Sequence, residues 1–196
     1  MGRPERRPPQ ELMTPDELEG LITARRSNLL IDASREVAPE IVDRIVKAAQ
    51  WAPNHKRTWP LRVAVVSGDS RRTLGNTIAD AMAIHGDDEM KVAKTRGKFM
   101  RSPIIIVVAS AEGATINETE ENKYAVAAGV QNMLLMVESF GLASLWGSPA
   151  KGANDAITAL CSMEPTDYVM GIIYIGWPTQ SVAAPQRPNI EITRLI

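Results

Sequence analysis

The segment Trp51-Ala52-Pro53-Asn54-His55-Lys56-Arg57-Thr58-Trp59-Pro60-Leu61-Arg62-Val63-Ala64-Val65-Val66 takes the chain from the end of a helix into a strand. The loop between them is too polar and too densely basic to be mere connection. Upstream, Ala38-Pro39-Glu40 opens a helix in which Ile41, Val42, Ile45, Val46, Ala49 and Trp51 approximate one apolar stripe at helical spacing, ending before Pro53. Val63 to Val66 reads as a short buried strand. Pro53 and Pro60 stiffen the loop, because each fixes its own φ and restricts the residue before it. His55, Lys56 and Arg57, bracketed by Trp51 and Trp59, are therefore donors on a rigid support, suited to a planar anionic ligand.

Outward from this point, helices and strands continue to mix. Thr14-Pro15-Asp16-Glu17 combines a hydroxyl N-cap, a proline at the first helical position and a glutamate placed for a capping box, so a helix should run toward Arg26. After Val66, Ser67-Gly68-Asp69-Ser70 turns into a helix that lasts to about His85 and breaks at Gly86-Asp87-Asp88. A polar, cationic helical stretch from Met90 to Arg101 leads through Pro103 into Ile104-Ile105-Ile106-Val107-Val108, a central strand. From about Glu118 to Phe140 the chain reads as one long helix, nearly all apolar or small between Tyr124 and Val137. Such a helix must be covered almost all round, and one sheet in a chain this short does not suffice, which points to a partner subunit. Ala143 to Ser148 is a strand running into a small-residue turn, Asn154 to Leu160 a short helix, and Met170 to Gly176 the last strand. The proline-punctuated, partly apolar tail ending at Ile196 is expected to wrap a neighbour.

With 196 residues, 44% of them hydrophobic and 23% charged, the chain has the size and balance of one globular domain. Residues 1–13, rich in Pro, Arg and Glu, read as a flexible extension without the apolar stretch of a signal peptide, leaving 14–196 as the domain. A net charge of -1 supplies no global attraction for nucleic acid. The apolar run Ile104 to Ala109 is too short for a membrane span. Cys161 is the single cysteine, so no intramolecular disulfide forms and a cytoplasmic location is expected. Dinucleotide and P-loop glycine fingerprints, metal-ligand spacings and a nucleophile elbow are all missing, which favours a cofactor bound without a sequence fingerprint.

Five places, in order, carry a resemblance: Arg25-Arg26-Ser27; Ala52-Pro53-Asn54-His55-Lys56 with Pro60; Ala128-Gly129-Val130-Gln131-Asn132-Met133-Leu134-Leu135; Gly141-Leu142-Ala143-Ser144-Leu145-Trp146; and Gly171 to Pro178. On these the chain resembles the short, single-domain branch of the nitroreductase family of FMN-dependent oxidoreductases. The resemblance implies an α+β fold with a mixed, mainly antiparallel central sheet flanked by helices, in an intertwined homodimer with non-covalent FMN at the interface. It also implies ping-pong hydride transfer from NAD(P)H through flavin N5 to nitroaromatic or quinone acceptors. A non-catalytic flavin-binding or storage protein, a dehalogenase or a flavin-consuming enzyme would share the same motifs.

The resemblance assigns Arg25, Arg26 and Ser27 to the ribityl phosphate, a role that two guanidinium forks and a hydroxyl suit. Read without it, the same arginines are a solvated helix terminus. His55, with Lys56 or Arg57 nearby, is implied at the isoalloxazine or phosphate, and Trp146, Gly147 and Ser148 on the opposite side. Gly147 would let backbone approach the ligand closely. Arg187 in the tail matches a late arginine that some relatives place on the phosphate. Where many relatives carry a lysine near flavin N1 this chain has Leu29, and Arg57, then Arg26, are the expected substitutes. Catalysis is expected to need no protein nucleophile, since the cofactor carries the chemistry.

Overall fold

The computed structural model describes residues 13–195. Residues 1–12 of the extension, and Ile196, lie outside the described residues. The elements are α1 Pro15–Ala24, α2 Pro39–Ala48, β1 Leu61–Ser67, α3 Ser70–His85, α4 Glu89–Lys98, β2 Ile104–Ser110, α5 Ile116–Ser139, β3 Ala143–Gly147, α6 Asn154–Leu160 and β4 Tyr168–Gly176. Short 3-10 turns follow α2 at Ala49–Trp51, open the basic loop at His55–Arg57 and follow α4 at Phe99–Arg101. Each expected element is present, with ends shifted by a few residues.

Local chemistry explains the boundaries. Thr14 and Glu17 form the reciprocal capping box of α1, the Thr14 N–H donating to the Glu17 carboxylate at 2.7 Å. Gly86, at φ 84°, takes the left-handed position that ends α3. Thr115 caps α5 through its hydroxyl, which accepts the Glu118 N–H.

The four strands form one sheet in the order β1-β2-β4-β3, every ladder antiparallel. The parallel component is a single bridge, Ser27 to Ser144, outside the named strands. All seven residues of β2 are buried, because helices cover both faces of the sheet. On one face Ile105 and Val107 share a core with Leu74 and Ile78 of α3, Ile157 of α6, and Phe99. On the other, Ile106 and Val108 share a core with Ile45 of α2 and Val130 and Met133 of α5. An uninterrupted apolar run is the signature of that two-sided burial, whatever the strand direction.

Helix α5 is not covered all round by its own chain. Within one chain it buries a single side, Val126, Val130, Met133, Leu134 and Val137, and leaves Tyr124 69% exposed. Gln131 and Ser139 are exposed along the same side, seven and eight residues apart. The sheet supplies one covering surface only, so the opposite side of an apolar helix stays open. The tail beyond Pro178 has no regular structure and is exposed through Leu195.

Gly75 in α3 faces the backbone of α4, where an added Cβ would overlap the Arg96 carbonyl oxygen and sit 3.3 Å from that of Thr95. Backbone cannot swing aside as a side chain can. Gly75→Ala is therefore expected to cost about 1–3 kcal/mol through separation of the two helices. A denaturant midpoint equal to wild type would refute that packing. Thr14→Ala, by contrast, should speed hydrogen exchange in α1 and barely move global unfolding, since α1 has no buried residue.

Candidate functional site

The site begins where α1 stops. Arg25 adopts extended backbone (φ -57°, ψ 128°), turning the chain out of the helix and alongside β3. Asn28, buried, then clamps it on three sides. Its N–H donates to the Ser144 carbonyl at 2.8 Å, its side-chain amide donates to the Gln180 carbonyl at 2.9 Å, and its side-chain oxygen accepts the Leu30 N–H at 2.8 Å. The tail completes the clamp, with Asp32 N–H donating to the Trp177 carbonyl and Thr179 N–H to the Leu30 carbonyl. Arg25-Arg26-Ser27 is thereby pinned to the β3 edge of the sheet. Arg26 donates to the Thr23 and Arg25 carbonyls and lines a groove with Asn28 and Gln180 beneath the tail.

Beside this clamp lies a cavity of about 520 Å³. Leu29, Leu145, Ile172 and Tyr174 contribute apolar surface, and Gly147 and Ser148 contribute backbone and a hydroxyl. A Cβ on Gly147 would meet only ordinary contacts, the nearest being Leu145 Cδ2 at 3.5 Å. Within one chain a small side chain would therefore fit at this position, and no close protein contact requires the glycine. Trp146 serves the sheet itself. Its indole N–H donates to the Met170 carbonyl at 3.3 Å, and its ring lies where a side chain at Gly171 would have to be.

The basic loop lies elsewhere. It leads into β1, and β1 and β3 are the two edges of the sheet, roughly 14 Å apart at the usual strand spacing. His55 Nε2 stands 3.9 Å from Glu121 Oε2, and Lys56 Nζ 4.0 Å from Glu118 Oε2, both on α5. Lys56, Arg57 and Trp59 all have positive φ, at 56°, 57° and 50°. Three such residues in a four-residue stretch hold backbone strain, which persists only where surroundings over-determine it. Here Asn54 accepts the Trp59 N–H at 2.9 Å and donates to Thr58, whose hydroxyl donates to buried Asn122 at 2.6 Å. Asn122 in turn donates to the Ala111 carbonyl. The loop is thus tied to α5 and to the end of β2.

One chain therefore holds Arg25, Arg26 and Ser27 along the same sheet edge as Gly147 and Ser148, with Arg26 in the groove beneath the tail and Gly147 and Ser148 in the cavity at the other end of β3, and holds His55, Lys56 and Arg57 at the opposite edge. Arg187 lies in the exposed tail, without a hydrogen bond or ion pair among the described residues. As substitutes for the missing lysine at position 29, Arg57 is on the wrong edge within one chain and Arg26 faces the groove under the tail. The cations that share a cavity with Leu29 are Lys91, Lys94, Lys98 and Arg101, which in the sequence read only as a polar helical stretch. Their spacing of three, four and three residues was the available signal.

Known proteins share both sequence and architecture with this chain. The Escherichia coli protein named "Putative NAD(P)H nitroreductase YdjA" is 27% identical over 166 residues, covering 83% of this chain and 88% of that protein. A crystallised nitroreductase-like family protein from Bacillus cereus superposes with a TM-score of 0.78 at 25% identity, covering 93% of this chain and 98% of the other. A structure described as a "putative nitroreductase in complex with FMN", from Desulfovibrio desulfuricans, superposes with a TM-score of 0.69 at 27% identity, covering 90% of this chain and 94% of the other. The profile of the Nitroreductase family matches residues 22–177, from the end of α1 through the last strand, and the chain belongs to that family.

Proposed function

We propose that this protein is an FMN-dependent NAD(P)H oxidoreductase that reduces nitroaromatic or quinone-type acceptors, working as a homodimer. The observation that carries the reading is the cavity beside the β3 edge, with an apolar floor and a cationic wall, on the same sheet edge to which Ser27 is bridged. These features fit FMN chemically. Leu29, Leu145 and Ile172 offer a surface for a flat ring, the two arginines and Ser27 offer charged hydrogen bonds for a phosphate, and among the described residues no carboxylate lines the cavity to repel either.

When bound, FMN supplies hydride exchange at N5, which the protein's own side chains cannot provide. The chain's residues bind and orient. Arg25 and Ser27 hold the phosphate, and Gly147 and Ser148 border the ring. Cationic groups along the cavity favour negative charge on the ring as it is reduced. Donor and acceptor use the same opening in turn, so the kinetics should be ping-pong.

Dimerisation supplies what one chain lacks. Tyr124 on the uncovered side of α5 and the exposed Trp51 are large aromatic groups of the kind that subunit contacts bury. Pairing of two chains would bring His55, Lys56 and Arg57 of each to the β3-edge cavity of the other, across the distance the sheet imposes.

Three measurements test this. The purified protein should show the visible absorption of an oxidised flavin, bleached by NADPH or NADH and restored by an added quinone; a colourless protein that ignores FMN would overturn the reading. Arg25→Ala should weaken FMN retention at least tenfold while thermal stability stays within about 1 kcal/mol, because a part-exposed guanidinium contributes little to folding. Finally, mixing Arg25→Ala and His55→Ala chains by unfolding and refolding should restore roughly a quarter of the FMN sites, since each mixed dimer then holds one undamaged site. Restoration fails if both residues serve from one chain.

A further inference from the structure

Helix α4 carries Lys91, Lys94 and Lys98, and Arg101 follows in the turn beyond, at steps of three, four and three residues. All four border the cavity beside the β3 edge, and neither aspartate nor glutamate does. Among the described residues none of the four has an ion pair, whereas Arg96, also on α4, pairs with Asp80 at 2.7 Å. Crowding of like charge has a visible consequence. Burial, then the nearby Arg101 and Lys94, pull the Lys98 ammonium below the ordinary lysine range.

A second observation points into the same cavity independently. Tyr174 is 2% exposed, its ring stacks on Phe99 at 5.7 Å between centroids, and its hydroxyl has no hydrogen-bond partner. Burial pushes the phenol up to about 12, so it remains a neutral donor at ordinary pH. Buried donors of this kind ordinarily find an acceptor. Tyr174 is itself one of the residues lining the cavity, its hydroxyl buried just behind that wall.

One reduced flavin ring brings a single negative charge, which four unpaired cations exceed. We infer that Lys91, Lys94, Lys98 and Arg101, with the Tyr174 hydroxyl, form a recognition site for an anionic group on the molecule that exchanges electrons at this cavity. That group is a carboxylate on an aromatic acceptor or the 2′-phosphate of NADPH, the same chemistry from two sources. The redox part of this statement rests on the function proposed above; the binding part stands separately.

The test is calorimetric titration of the full-length protein as purified, which needs no colour. p-Nitrobenzoate and p-nitrobenzamide, alike in shape and different in charge, form one pair, and NADPH and NADH the other. At low salt at least one anionic member should bind roughly tenfold more tightly than its partner, and high salt should erase most of that advantage. The Lys91→Gln, Lys94→Gln double variant changes two exposed side chains and should lose the preference. Loss for the nitrobenzoate pair assigns the acceptor's carboxylate, and loss for the nicotinamide pair the 2′-phosphate. Tyr174→Phe, which keeps the stack on Phe99, should weaken the anionic ligand severalfold. Equal affinities within both pairs in wild type, or a preference that the double variant retains, would overturn the assignment. A colourless protein that keeps the charge preference sinks the flavin reading alone, and a flavin-loaded protein without it sinks this one alone.

Discussion

Everything in this structure is arranged around a strand that no water reaches. The seven buried residues of β2 need apolar cover on both faces, so α3, α4 and α6 are drawn to one side and α2 and α5 to the other. With two layers of helix in place, the edges of the sheet are what remains for irregular backbone. The two basic segments occupy those edges, one at β1 and one at β3. Their separation is a consequence of strand order rather than of loop length.

The β3 edge is the better defined of the two. Asn28 ties three chain segments together, and a buried amide bonded through both its nitrogen and its oxygen sets a backbone position more narrowly than apolar packing does. This fixes Arg25-Arg26-Ser27 along the β3 edge without requiring a regular strand there. At the β1 edge the Asn54, Thr58 and Asn122 chain plays the comparable part, holding three side-chain-bearing residues at positive φ. Strain of that kind is maintained where a loop must present groups in one orientation.

Much of this was legible in the residues. The periodicity of α2, the turn and break that bound α3, the capping box at Thr14, the run at Ile104 and the long apolar helix each follow from interactions within a few residues, and their boundaries came out close to expectation. The resemblance that named the family likewise rested on short ordered segments. Two features were less legible. Lys91, Lys94, Lys98 and Arg101 read only as part of a polar, cationic helical stretch, because nothing local distinguishes a cation facing water from one facing a cavity. Tyr174 read as an ordinary strand residue because a missing hydrogen-bond partner is a property of its surroundings.

Local sequence thus settled which segments are helices and strands, where they start and stop, and which family the chain joins, since helix periods, caps and buried runs depend on neighbours close in the chain. Only the folded structure decided that the His55 loop and the Arg25 clamp sit at opposite edges of one sheet, that α5 keeps an open side, and that four lysines and arginines share a wall with Leu29. Those relations join residues dozens of positions apart. They are fixed by strand order and by the packing of two helical layers, which no short window of residues contains.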